Sequence, residues 1–552
     1  MVAEGLIPDE PGGDPVPPSR ARRVIVAVLA LLVVAALVVP RLPGLVPSTD
    51  RPIAAGASST GSATILASQP ASIDPAAHGD AASAAIVAQL FETLTAFDAD
   101  LTLQPALAES WTVEEGGRRV VFQLRDGLQF SDGTPLAASD VVRSWRRLVT
   151  PGSLSPLASL LADIKGVPEI LAGTAADPTA IGVTADGDRR VVVDLVRPSA
   201  DFPAIASSPP LAVVPASMAE RDVPLAAQDF VGSGGYRVTG VSGDKLELTA
   251  NDRYWAGSPP IKHITVVTDL AGSSPVEAFE DGKLDVAPIG ELDARWIAYD
   301  KDLGPTLREV PSLTLEYYAF DTTKPPFDDP RVRRAFAMAV DWRRIAALDE
   351  AGSSVPATGM VPLGIPGRPD GDYLPPFDPA GAKRLLAEAG IDPKTLPPVE
   401  FITSGGGHDD AVVADLREHL GVRVDYATMD FGDYTVRLDR EAPAIWSIIW
   451  VADYPSPNDF LGVLLGSGST ANEGRWHSQA FDDAIAEAGS TTDAAAAAAA
   501  YGKALGAVRD EAPAMPVTYG TAWSLTRPGL LGATPNGMGI LRYAGLAWAD
   551  GG

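Results

Sequence analysis

Sixteen consecutive uncharged residues, Val24–Val39, stand behind Arg20, Arg22 and Arg23 and are closed by Pro40 and Arg41. A basic flank before an apolar run fits a secretory signal or a signal anchor. As a helix the run covers about 24 Å, against roughly 30 Å of bilayer hydrocarbon, a mismatch that snorkelling arginines and local thinning can absorb. No small-x-small site closes it, and Ala55-Gly56-Ala57 has that form only further downstream. An uncleaved anchor is therefore expected, with a cleaved signal as the alternative. A buried core helix fits poorly, because segments of disorder-type composition flank the run on both sides. The arginines assign residues 1–23, rich in Pro, Gly and acidic side chains, to a disordered cytoplasmic tail, and everything after Arg41 to the outside. Residues 40–62, with four prolines and a Gly/Ser/Ala stretch, read as a flexible spacer.

The long remainder of the chain is thus expected to fold outside the cell membrane. The chain has 552 residues, 46% hydrophobic and 21% charged, so a sizeable core can be buried. Length alone suggests about three or four domain-sized units. The net charge of -28 opposes nucleic-acid binding, which needs a basic surface. Acidity of this kind keeps a surface protein soluble. The absence of cysteine excludes disulfides, thiol nucleophiles, thiolate metal sites and a cysteine-linked lipid anchor.

From Thr64 onward, strand and helix signals interleave without a repeat. Val120–Leu124, Leu246–Leu248, His263–Thr268 and Leu313–Phe320 read as strands. Ala444–Val451 is continuously apolar, as in a strand covered on both faces. Asp329-Pro330 opens a helix through RVRRAFAMAVDWRRI, Asp378-Pro379 opens another that Gly390 closes, and Asp493 precedes an alanine run that ends before Pro513. The mixture predicts an α/β body with more than one lobe.

Catalytic and metal patterns are missing from the sequence. His78, His263, His408, His419 and His477 are scattered, without HExxH or clustered ligand spacing. Gly232-Ser233-Gly234-Gly235 lacks the spacing of a nucleophile elbow and precedes a strand, so it reads as a turn. No phosphate-cradling glycine motif occurs. No catalytic residue, metal or cofactor is assigned.

One segment stands apart, Ile448–Phe460, where an apolar strand runs through Trp450, Val451 and Ala452 into Asp453, then Tyr454, Pro455 and Pro457. A carboxylate at the mouth of a buried strand, between aromatic rings, is suited to holding a cation. An Asp two residues before Pro also simply caps turns.

Many segments, in fixed order, resemble the large solute-binding proteins of peptide-type ABC importers. They include SIDP (72–75), LFETL (90–94), matching that family's second element as a helix, LQPALAESW (103–111), FSDGTP (130–135) and DVVRSW (140–145). GSGGY (232–236), NDRYW (251–255), FEDGKLD (279–285), PFDDPRVRRAFAMAV (326–340), AEAG (387–390), WVADYPSP (450–457) and APAMPVTY (512–519) complete the set.

The resemblance implies a two-lobed, periplasmic-binding-protein-like clamshell. Residues 63–82, 207–316 and 520–552 would form a discontinuous lobe I, 83–206 an extra region packed on it, and 317–519 lobe II. A monomer is expected on the outer face of the cytoplasmic membrane, held by the apolar run 24–39 read above. Such a protein captures short peptides between its lobes and delivers them to a membrane permease. The family's W-x-A-D aspartate, which grips a peptide ammonium, corresponds to Asp453. Peptide backbone would pair near Trp450, Val451 and Ala452, and near Gln69 and Ala71, as an added strand. Ser447 stands where one branch carries an arginine for the far carboxylate, so that contact is unassigned. The competing readings are a same-fold receptor for glutathione, a sugar or a metal chelate, an anchored surface hydrolase, or a structural adhesin.

Overall fold

The computed structural model describes residues 61–549 except 78, 152–154, 220–229, 348–353, 407 and 470. The expected membrane segment 24–39, the tail before it, nearly all of the spacer and His78 lie outside the described residues. Among the described residues no helix is long and apolar enough to cross a membrane.

The chain enters at β1 (Ser62–Leu66) and helix α1 (Ala81–Leu90), capped by Asp80 through its bond from the Ser83 amide. LFETL is not the predicted helix. Only Leu90 is helical; Phe91 is extended and buried, which carries the chain off into the next region. Close approach explains the GSGGY turn: a Cβ at Gly232 would lie 2.1 Å from the Leu90 carbonyl oxygen, and one at Gly234 2.4 Å from that of Gln89. Ser233 is buried, donating to the Val213 carbonyl at 3.0 Å, a structural role.

A separate four-stranded antiparallel sheet comes next, β2 (Ala108–Glu114), β3 (Arg119–Leu124), β4 (Val183–Asp186) and β5 (Arg190–Asp194), ordered β2-β3-β5-β4. Helix α2 (Ala138–Leu148) packs Val141 and Trp145 against it, and Trp145 Nε1 donates to the Leu211 carbonyl at 2.9 Å.

The main sheet then grows through β6 (Tyr236–Ser242), β7 (Lys245–Ala250), β8 (His263–Val267) and β9 (Val286–Ile289). Helix α3 (Glu291–Ile297) leads to the long β10 (Leu307–Phe320). Helices α4 (Pro330–Ala339), α5 (Trp342–Ala346) and α6 (Pro379–Glu388) precede β11 (Val399–Thr403) and β12 (Val424–Thr428). The expected single helix through RVRRAFAMAVDWRRI is two. Val340 is extended, and Asp341 caps the second helix by accepting from the Arg344 amide. Helix α7 (Phe431–Glu441), β13 (Ile445–Val451), α8 (Ala494–Glu511) and β14 (Ala514–Thr526) complete the body. Asp493 caps α8 as expected, its carboxylate accepting from the Ala496 amide at 2.9 Å.

The main sheet runs β12-β11-β13-β10-β14-β9-β1-β8-β7-β6. β10 and β14 join its two halves: β14 pairs with β9 on one side and β10 with β13 on the other. Leu307–Pro311 pair with Thr521–Leu525 on one side, and Leu315–Ala319 with Ala514–Tyr519 on the other. Register shifts separate Pro311 from Leu315 and Glu316 from Tyr317. Alternate residues feed opposite cores: Leu313, Leu315 and Tyr317 enter one cluster, Tyr318 and Phe320 another.

Candidate functional site

Strand directions determine where a site can form. β9 is antiparallel to β14, so its Ile289 end, opposite Trp523, points toward the crossing at 519–521. β1 is parallel to β9 and shares that direction. β13 is antiparallel to β10 and runs from Ile445, opposite Phe320, to Val451, opposite Thr314. β11 and β12 are parallel to β13 and to each other. The carboxyl ends of the parallel strands in both halves therefore face one another across the two crossing strands. Open α/β sheets place ligands outside such ends.

Gln69 and Ala71 lie just beyond the carboxyl end of β1, and both are exposed. Trp450 and Val451 end β13 on the opposing side, and the Ala452 amide donates to the Leu313 carbonyl at 2.9 Å. Ala444–Val451 is not covered on both faces as its composition predicts. Ile445 and Trp446 are buried, whereas Ile449 is 62% and Val451 40% exposed. The strand leaves the core where it reaches the crossing.

Asp453 comes immediately after. Ser208 Oγ donates to its carbonyl at 3.0 Å. Its amide donates to Asp459 Oδ2 at 3.2 Å, and Trp450 Nε1 donates to the same oxygen at 3.0 Å. Asp459 is fully buried, and its Oδ1 has no hydrogen-bond partner among the described residues. Burial pushes the Asp453 carboxyl up to about 7. Burial first, then the charge of Asp453, pushes Asp459 well above the carboxylate range. Neither forms an ion pair among the described residues, so no protein cation there balances a charge on this pair of carboxyls.

The prolines turn the chain back: the Ser456 amide donates to the Tyr454 carbonyl at 2.9 Å, and Asn458 Nδ2 to the Tyr454 hydroxyl at 2.9 Å. Tyr454 is buried in the core of the four-stranded region. Ser456 Oγ donates to Asp201, as does the Tyr501 hydroxyl at 2.9 Å. Asp201 and Ser208 thus tie residues around 201–208 to the segment carrying Asp453.

The sequence singles out Asp453 and its strand but not Asp459, Asp201, Ser208 or Tyr501. Asp459 lies in the same conspicuous segment; the others are brought in by the fold. Tyr434 exchanges hydrogen bonds with the main chain of Ser447, its hydroxyl donating to the carbonyl at 2.8 Å.

A family model described as "Bacterial extracellular solute-binding proteins, family 5 Middle" matches residues 102–472. The chain belongs to this family. This solute-binding protein is 32% identical to the Probable deoxycholate-binding periplasmic protein YgiS of Escherichia coli K12, over 84% of this chain and 88% of the relative. It is 29% identical to the Periplasmic oligopeptide-binding protein OppA of the same organism, over 84% and 88%. The solved Escherichia coli murein tripeptide binding protein MppA superposes with a TM-score of 0.75 at 26% identity, covering 89% of this chain and 99% of that one. The α/β periplasmic-binding-protein fold expected from the sequence is the fold observed.

Proposed function

We propose that this protein captures short peptides between two lobes and hands them to the permease of an ABC importer. The observation that carries the reading is the half-buried Asp453 carboxyl at the carboxyl edge of β13, without a protein cation beside it among the described residues. A peptide's N-terminal ammonium supplies the missing charge and makes charge-assisted hydrogen bonds. Peptide backbone extends along Trp450, Val451 and Ala452, with Gln69 and Ala71 on the opposing edge, as an added strand. Residues 63–82, 207–316 and 520–552 act as one lobe, 83–206 as a region packed on it, and 317–519 as the other lobe. Segment 24–39 holds the monomer to the membrane, and the body works outside it as a receptor rather than an enzyme. Relatives named for oligopeptides and a murein tripeptide support the reading.

A second reading has its own support, because the 32% identical relative is named for deoxycholate. Such a solute carries a carboxylate and no amine, so it would leave Asp453 unpaired. Calorimetry with a tight-binding peptide and its N-acetylated form separates the two. Acetylation should weaken binding at least tenfold under the peptide reading. Equal affinity for both forms would refute the amine clamp, and binding of deoxycholate alone would favour the second reading.

A further inference from the structure

A cavity of about 240 Å³ lies at the carboxyl end of β1. Ile65 of β1 with Val286 and Pro288 of β9 form its floor, Ala82 and Ala85 of α1 one wall, and Leu541 another. No charged side chain among the described residues lines it. Asp80, which precedes α1, has both carboxylate oxygens on Ser83. α1 buries Ile86, Val87 and Leu90 in the core, whereas its alanines, a turn earlier, leave the space open. An apolar cavity of roughly 150 Å³ is enough to take up benzene. This one has room for a phenylalanine ring or a large aliphatic side chain.

Ala67 and Ser68 also line the cavity, and Gln69 follows them directly. The space therefore adjoins the edge assigned above to the peptide backbone.

Register places the cavity and part of the opposite rim on one side of the sheet. Ile65 pairs with Val286, and Pro288 with Ser524. Ser524 and Thr518 are an even number of residues apart on β14; Thr518 pairs with Glu316, and Glu316 with Ile449. Paired residues, and residues an even number apart along a regular strand, share a face. Ile449 and Val451, 62% and 40% exposed, thus face the same side as the cavity, across the crossing strands. The acid beside them, Glu316, is engaged: its carboxylate accepts from His408 Nδ1 and from Thr518 Oγ1, each at 2.9 Å.

We propose that the cavity receives one bulky apolar side chain of the bound peptide, which Ile449 and Val451 flank from the other rim. The proposal rests on the peptide reading above and adds a preference, for aromatic and large aliphatic residues over small or charged ones. Main-chain pairing along Gln69 and Ala71 is blind to sequence. The cavity is not. A charged side chain placed there loses its hydration without a partner, and a methyl group leaves most of the space without contacts.

The test is calorimetry on the full chain in detergent. Tri-alanine is compared with tripeptides carrying Phe, Lys or Glu at each position in turn. At one position Phe should bind at least tenfold tighter than Ala, with Lys and Glu no tighter than Ala. Ala85→Phe, which fills the cavity from α1, should abolish that gain and keep tri-alanine within threefold. Ala82→Leu fills it less and should reduce the gain at least threefold; it decides the matter if a thermal melt shows Ala85→Phe to be misfolded. A Phe gain at no position, with tri-alanine still bound, would overturn the cavity's role and leave the peptide reading standing. A Phe gain that survives the substitutions would place the side chain elsewhere and overturn the proposal as well. Binding of no peptide at all would overturn the peptide reading and this preference with it.

Discussion

At Asp453 two titrations meet. Under the proposed amine clamp, an ammonium pairs with the ionised carboxylate, whose pKa burial has pushed up to about 7. As pH falls below 7, protons compete with the ligand, and affinity should drop toward tenfold per unit. Above pH 8 a peptide's own amine loses its proton, so affinity should peak between 7 and 8. Asp453→Asn should flatten the acid side of that profile and weaken binding at pH 7.5 by about 30-fold or more, since breaking a buried charged pair costs about 2–5 kcal/mol. Calorimetry from pH 5 to 8.5 checks both. The same group acts on stability with a fixed sign. Its folded pKa lies above the unfolded value near 3.9, so its contribution is fully present below pH 4 and lost as pH rises through 7. Thermal melts of the empty body should show wild type gaining more than Asp453→Asn on acidification from 8 to 5.

Asp459 is a different case. Burial, and then the charge of Asp453, raises its carboxyl well above the carboxylate range and so favours the neutral form, with Oδ2 receiving the Trp450 and Asp453 N–H groups. Asp459→Asn keeps a carbonyl for those donors and should hold peptide affinity within about threefold. Asp459→Ala leaves both N–H groups without their acceptor, a penalty of about 1–3 kcal/mol each where buried, and should lose at least tenfold. Calorimetry of the pair distinguishes a positioning acid from a charged one, for which Asn would fail as well. The sequence makes Asp453 legible through its aromatic and proline neighbours. It does not do so for Asp459, because an acidic residue after Pro-Asn looks like any turn residue until tertiary packing removes its water.

Among the elements, those with local signals are legible: Asp378 and Asp493 cap their helices, and Gly390 takes the positive φ of a helix stop. The departures are tertiary. Hydropathy cannot say that the second half of β13 runs out to a cleft, so its apolar residues look covered on both sides. The break at Val340 depends on Asp341, whose amide donates to Asp415, distant in sequence. The strand signal of β10 begins only at Leu313, since Pro311 argues against a strand, yet the proline falls at a register shift where the ladder needs no donor. The GSGGY turn has a specific consequence. A methyl at Gly232 meets the Leu90 carbonyl at 2.1 Å, which only a backbone shift relieves. Gly232→Ala should therefore cost about 2 kcal/mol or more in urea unfolding, in the range of overpacked cores.

For the whole molecule, the two halves of the main sheet are joined, among the described residues, through β10 and β14, with register shifts at the crossing. Asp201, in the four-stranded region, is a bridge to the far half, accepting from Ser456 in the loop that carries Asp453 and from Tyr501 on α8. Those bonds belong to the arrangement seen here, with Tyr454 buried against the four-stranded region. If that arrangement is the ligand-holding one, removing Asp201 raises the relative population of open forms without touching the cation seat. Opening governs escape more than encounter, so the loss should fall on the dissociation rate. Hydrogen bonds to a charged group contribute about 1.5–3 kcal/mol, which converts to roughly tenfold to a hundredfold. Asp201→Ala should accordingly raise koff by at least tenfold with kon within threefold, read by stopped-flow with a fluorescent peptide. A change confined to kon would instead place Asp201 on the entry path, and unchanged rates would mean that the bridge persists, or is irrelevant, in both open and closed forms.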